Sequence, residues 1–355
     1  MKKNYFEKRV KKFDIKTKNK FIKQIPKNAL VELTNACNHA CIFCHNPMMK
    51  RSINSIDINV FKSFVLKGVS EGLEEVGLYS TGEPFMTKNL HQFVKIGKDS
   101  GLKRVYITSN GALAKLSKVQ ETIEAGLDSI KFSINAGSKE TYKIIHGQDD
   151  FDKVIKNLKD IYYYKNKNNI KLQLLCSFVF TDLTKKETIS FKKKYQKYFD
   201  EEINFIKAAN QGGHTKDRSD ILTKTIDNEI NNRNNLNLEK NIKPCGMLWD
   251  RLHLTSEGNL TACCVDYESD LVYKKFSAKE KIIDQFNSEQ IVNLRAKHLN
   301  NDLKDTICYN CIYNENSKYS KIDNKIEAVS KKINNTISPK IKALENRMNQ
   351  FIKKV

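Results

Sequence analysis

From residue 29 onward, short runs of β-branched, aromatic and other apolar residues recur along the chain: ALVEL (29–33), EVGLYS (75–80), RVYITS (104–109), SIKFSI (129–134), KLQLLCSFVF (171–180) and INFIKA (203–208). Between them apolar positions follow helical spacing, as in Val60, Phe64 and Leu66 to Val69, or Val119, Ile123 and Leu127. Such alternation predicts βαβ units and a parallel sheet. Six strands between residues 29 and 208 suit a partial (β/α) barrel or an open doubly wound sheet, and periodicity alone does not choose between them.

The pattern then changes. Residues 211–243 are rich in Asn, Asp and Lys, open on QGGH (211–214) and read as a linker. A second, smaller unit runs over 244–315 and holds five of the nine cysteines. In the last segment, 316–355, Ile322, Ile326, Val329 and Ile333, then Ile341, Leu344, Met348 and Ile352, lie on either side of Pro339. They predict an amphipathic helix pair or one kinked helix packing on the body or on another chain. Its Lys-rich polar face would also suit contact with a membrane surface.

At 355 residues and 39% hydrophobic, the chain can bury a core of enzyme size. Neither a signal peptide nor a run of ~20 apolar residues is present, which predicts a cytoplasmic protein with reduced thiols. Metal binding or chemistry then outranks disulfides as the explanation of the cysteines. The formal charge of +21 sits mostly in the tails: residues 1–30 carry a net +9 and 317–355 a net +7. Residues 1–27 are a basic extension, whereas the cysteine-bearing core is close to neutral, which argues against a nucleic-acid binder.

The candidate chemistry begins at NACNHACIFCHN (35–46), where Cys37, Cys41 and Cys44 lie at spacings of four and three. A structural zinc site wants four ligands, and only His39 and His45 stand nearby as a fourth. A cubane iron-sulfur cluster gives the odd number a meaning, because three thiolates leave one iron open to a small molecule.

C-x3-C-x2-C with an aromatic, Phe43, before the last Cys, directly after a strand ending in VELTNAC, resembles the signature of the radical S-adenosylmethionine (radical SAM) superfamily. Further strand ends extend the resemblance. STGEP (80–84) is similar to the family's Gly-Gly-Glu-Pro turn, with Thr81 in place of the first Gly, and implies that Gly82 and Glu83 bind the ammonium of the methionine moiety. ITSNG (107–111) and FSINA (132–136) imply that Ser109, Asn110, Ser133 and Asn135 contact the rest of S-adenosylmethionine. The resemblance covers residues 28–210 and implies a partial (β/α)6 TIM-like barrel.

In the second unit, Cys245, Cys263, Cys308 and Cys311 can supply a tetrathiolate site, with Cys264 left over. Zinc is chemically reasonable there. Gly258-x4-Cys263, an upstream Cys and the downstream C-x2-C resemble the SPASM/twitch auxiliary-cluster domain, in its shortened α+β twitch form, and imply one auxiliary [4Fe-4S] cluster. GNL before CC suggests a hairpin presenting the thiolates.

The resemblance implies a radical SAM oxidoreductase that cleaves S-adenosylmethionine at a three-Cys [4Fe-4S] cluster, drawing electrons from a flavodoxin- or ferredoxin-type donor. A saturated auxiliary cluster points to a two-electron dehydrogenation of a carbohydrate or cyclitol alcohol. Peptide modification is an alternative, as is epimerisation with Cys264 as hydrogen donor. A non-enzymatic zinc or iron-sulfur protein is the third. Substrate contacts are expected from loops such as 137–150 and 210–240, and Cys176 is expected to be a buried small hydrophobe.

Overall fold

The computed structural model describes residues 19–215, 244–313, 318 and 320–322. The predicted linker beyond residue 215 and nearly all of the amphipathic tail lie outside the described residues, as does the basic extension before residue 19.

All six predicted strands are present: β1 (Asn28–Val31), β2 (Glu75–Gly77), β3 (Arg104–Ser109), β4 (Ser129–Ser133), β5 (Gln173–Phe180) and β6 (Asn204–Lys207). They pair in parallel in sequence order. Helices α1 (Ile58–Ser70), α2 (Leu90–Asp99), α3 (Leu116–Glu124), α4 (Lys139–His146), α5 (Phe151–Lys167) and α6 (Thr188–Tyr195) connect them. On the helix-bearing face Val76, Val105, Ile130, Phe132, Leu174 and Phe178 join Phe61, Phe64, Phe93 and Leu158 in one apolar core. Cys176 is buried there, where burial pushes its thiol up.

Side chains alternate across a strand, so the opposite face carries Tyr79, Tyr106, Lys131, Ser133 and Ser177. There Asn28 Nδ2 donates to the Tyr106 hydroxyl at 2.9 Å. Lys131 Nζ lies 5.9 Å from the centre of the Tyr79 ring. Across β2, β3 and β4 this inner face is polar, while Leu30 of β1 and Leu175 and Val179 of β5 make its flanks apolar.

Residues 137–150, expected as a substrate-contacting loop, contain α4 instead. The Ser138 hydroxyl caps it by accepting from Thr141 N, and Gly147 ends it at φ 69°, in the left-handed region that glycine adopts without strain.

The second unit adds α7 (Met247–Asp250), β7 (Leu252–Leu254), β8 (Asn259–Thr261), β9 (Val272–Lys275), α8 (Ile282–Gln285), α9 (Glu289–Leu299) and α10 (Ile307–Tyr313). β7 pairs in parallel with β1, on the side away from β2, so one nine-stranded sheet runs in the order β6-β5-β4-β3-β2-β1-β7-β8-β9. β7 and β8 form the hairpin expected before the paired cysteines. Part of the N-terminal extension packs on this unit: Asn19 O accepts from Trp249 Nε1 at 2.7 Å, and Ile22 exchanges two hydrogen bonds with the Asn287 side chain.

Glu32, at the end of β1, ties these pieces together. Its carboxylate accepts from Arg51 Nη2 at 2.7 Å and Ser256 Oγ at 2.8 Å, and from the Thr81 hydroxyl at short range. Burial alone would raise its pKa, but Arg51 and the two hydroxyls hold the carboxyl below its usual range. Glu32→Ala would leave the buried Arg51 guanidinium without its shortest ionic contact and should cost about 3 kcal/mol, read as a lowered urea midpoint.

Candidate active site

The loops at the carboxyl ends of the strands converge above the polar inner face. The loop after β1 carries Cys37, Cys41 and Cys44, all half-buried. The STGEP turn after β2 is stapled against it. Glu83 N donates to Ala36 O at 2.8 Å, and a Cβ on Gly82 would lie 2.1 Å from Thr34 O and 2.6 Å from Ala36 O. Both obstacles are backbone, so only glycine fits. Thr81, which departs from the family pattern, turns its hydroxyl to Glu32.

Glu83 is buried, with Oε1 accepting from Ser109 Oγ at 2.8 Å and Oε2 from Asn110 N at 2.8 Å. Phe85 N adds a third bond, at 3.1 Å. These donors are all neutral, and burial pushes the carboxyl up to about 7 against their pull. A buried carboxylate of this kind is stabilised by an incoming ammonium.

Asn110 uses its Oδ1 to accept from Ala112 N, and its Nδ2 donates to Asn38 Oδ1 at 2.9 Å. Ser133 lies 3.4 Å from the Ser177 hydroxyl at the end of β4. Asn135 is more constrained: Oδ1 accepts from Val179 N at 2.7 Å and Nδ2 reaches His146 Nε2 at 3.2 Å, so its amide is already engaged within the protein. Phe43 packs with Ile42, Ile145 and Ala208. The histidines flanking the cysteines are also held: His39 Nε2 lies 3.2 Å from Asp150, and His45 Nε2 2.7 Å from Glu268 while its ring stacks on His214 at 4.3 Å.

In the second unit Cys245, Cys263, Cys308 and Cys311 line one apolar cavity together with Gly212, Leu248 and Leu271. Burial and the neighbouring thiols push Cys308 and Cys311 upward. Four thiols sharing an apolar cavity suit a metal that takes thiolates, and they fit a closed iron-sulfur cluster. Cys264 hydrogen-bonds to the cavity residue Cys263 and lies within electrostatic reach of Cys311, and also of His253, Arg251, Lys131 and Tyr267 on the other side.

Three functional candidates had no signal in the sequence pattern. Lys131, on the inner face of β4, has its pKa pushed down by burial to about 8. His146 Nδ1 lies 3.4 Å from Cys41 Sγ, and the Tyr267 hydroxyl 3.3 Å from Cys44 Sγ. All three depend on pairings between distant segments. Only the Ser138 cap and Gly147, by marking α4, could have placed His146 at a helix end.

The model of the radical SAM superfamily matches residues 31–190. This segment belongs to the radical SAM superfamily. A probable GTP 3',8-cyclase of Sulfurisphaera tokodaii is 33% identical over 130 residues, 37% of this chain and 41% of that protein. One of Saccharolobus islandicus is 35% identical over 136 residues, 36% of this chain and 41% of that protein. The chain thus spans about two fifths of the length of these curated relatives.

Among solved structures, SuiB of Streptococcus suis bound to precursor peptide SuiA superposes with a TM-score of 0.62 at 16% identity, covering 91% of this chain and 81% of that one. BtrN in complex with AdoMet and 2-DOIA gives 0.51 at 16% identity, covering 84% and 98%. At these identities the likeness is one of fold. The superfamily's cofactors are S-adenosylmethionine and a [4Fe-4S] cluster, and the three-thiol loop, the Gly82 approach and the neutral donors around Glu83 fit them. Among the described residues no helix is long and apolar enough to cross a membrane.

Two outcomes test this geometry. Gly82→Ala should destabilise the protein by about 1–3 kcal/mol through overpacking against backbone, measured by thermal or urea unfolding. An ammonium at Glu83 would require the ionised carboxylate, so affinity for S-adenosylmethionine, measured by calorimetry on cluster-loaded protein, should rise with pH only up to about 7, before the ligand's own amino group loses its proton. Below that point it should fall about tenfold per pH unit, and Glu83→Gln should flatten the profile.

Proposed function

We propose that this chain is a radical SAM oxidoreductase that dehydrogenates a carbohydrate or cyclitol alcohol bound against the polar inner face of the barrel. Cys37, Cys41 and Cys44 would hold the cluster that binds S-adenosylmethionine, and Gly82, Glu83, Ser109, Asn110, Ser133 and Asn135 would line the cofactor's place. Bound together, these cofactors supply a 5'-deoxyadenosyl radical able to take hydrogen from an unactivated carbon. A one-electron donor of flavodoxin or ferredoxin type would serve as partner.

The vicinal pair Cys263–Cys264 carries the reading. Cys263 lines the four-cysteine cavity, while Cys264 lies within electrostatic reach of Lys131 on the inner face. A closed auxiliary cluster on Cys245, Cys263, Cys308 and Cys311 would thus stand one residue away from the substrate side, where an electron must leave in a two-electron oxidation. Lys131 Nζ, at about 8, is deprotonated often enough near neutral pH to accept the hydroxyl proton. The polarity of Tyr79, Tyr106, Ser133 and Ser177 supports a hydroxyl-rich substrate.

The position of Cys264 also favours a second reading, in which its thiol donates a hydrogen atom to a substrate radical and the net reaction is an epimerisation. Normal turnover by Cys264→Ala would remove that reading and leave the first intact.

Iron analysis after anaerobic reconstitution tests the main proposal. Two clusters require about eight iron atoms per chain, and Cys308→Ala should lose about four of them while keeping cleavage of S-adenosylmethionine. Cys37→Ala should abolish formation of 5'-deoxyadenosine. Zinc without iron in anaerobically purified protein would sink the proposal.

A further inference from the structure

His39, Cys41 and His146 place one ligand atom each within 4.8 Å of one another, a spacing that would itself suit a metal ion. The hydrogen bonds around the two rings give them another role. Val179 N donates to Asn135 Oδ1 at 2.7 Å, which turns the Asn135 NH2 group toward His146 Nε2 at 3.2 Å. Asn135 N also donates to the same nitrogen, at 3.4 Å. Two donors aimed at Nε2 leave it no proton, so the ring proton sits on Nδ1.

That protonated nitrogen cannot ligate a metal. It faces Cys41 Sγ at 3.4 Å and His39 Nδ1 at 3.3 Å. A thiolate bound to iron carries negative charge and is the stronger acceptor of the two. The ring is held in place from several sides. It stacks on Tyr142 at 4.0 Å with 14° between planes, and the carbonyls of His146 and Ile145 accept from Ala40 N and Ile42 N of the cysteine loop.

On the far side of the loop, the buried Tyr267 hydroxyl lies 3.3 Å from Cys44 Sγ. An iron-bound thiolate has no proton to give, so the phenol is the donor. Tyr267 follows Cys263 by four residues, so the segment that carries an auxiliary ligand also reaches the first cluster's ligand.

We infer that His146 and Tyr267 are positioning residues that donate hydrogen bonds to the Cys41 and Cys44 thiolates and raise the reduction potential of the cluster held there. The inference rests on the cluster assignment of the proposed function. Hydrogen bonds to the sulfurs stabilise the more electron-rich reduced state, which is how such contacts tune iron-sulfur potentials.

The test uses the reconstituted full chain, titrated against electrode potential and followed by the paramagnetic signal that changes when S-adenosylmethionine is added. Tyr267→Phe removes only the hydroxyl, and His146→Phe keeps a ring. Each should lower the ratio of reduced to oxidised cluster at fixed potential about tenfold, a shift of about 59 mV downward for a one-electron couple. His146→Asn, which restores an amide donor near the Nδ1 position, should return toward the unaltered protein.

Midpoints unchanged in both phenylalanine variants would overturn the inference while leaving the proposed function standing, whereas an unaltered chain that takes up no iron removes both. In the metal-free protein, nitrogen NMR of the His146 ring should show the Nδ1–H tautomer. An Nε2–H ring there would overturn the assignment of His146.

Discussion

The carboxylate of Glu32 is where the architecture is joined. It stands at the end of β1, and it gathers Arg51 from beyond the cysteine loop, Thr81 from the turn after β2 and Ser256 from the β7–β8 hairpin. A buried carboxylate demands donors, and each donor here belongs to a different segment of the site. Arg51 extends the connection to Glu257 and Ser269, so the second unit is held to the barrel by the same charge. The threonine that departs from the family's glycine pattern has its physical account in this network.

Two contrasting thiol environments follow. Around Cys37, Cys41 and Cys44 the protein supplies polar neighbours: Asn110, His146, Tyr267 and, a little further out, the neutral donors that hold Glu83. Around Cys245, Cys263, Cys308 and Cys311 it supplies an apolar cavity. Under the proposed function, an open cluster that binds a charged cofactor and a closed one that only holds an electron would call for such different surroundings.

The continuity of the sheet makes the two environments neighbours. Because β7 pairs with β1, the hairpin that ends in Cys263 and Cys264 rises beside the strand that ends in the cysteine loop. Had the second unit been joined only by a linker, Tyr267 would have no fixed relation to Cys44.

The six parallel strands and the helices α1 and α3 were legible in the sequence because short apolar runs and helical spacing are local and the strand ends carry Gly, Asn and Pro. The C-x3-C-x2-C loop, STGEP and the four-cysteine set were legible for a related reason: the residue type itself states the chemistry. Helix α4 was read as a loop, since its short amphipathic run follows a turn and its cap is a single serine. Glu32, Lys131, His146 and Tyr267 look ordinary in sequence, and what distinguishes them is burial and partners between 19 and 224 residues away. Sequence alone determined the elements and where the cysteine motifs fall. Tertiary structure decided which buried polar groups meet, because a hydrogen bond depends on distance in space and not on separation along the chain.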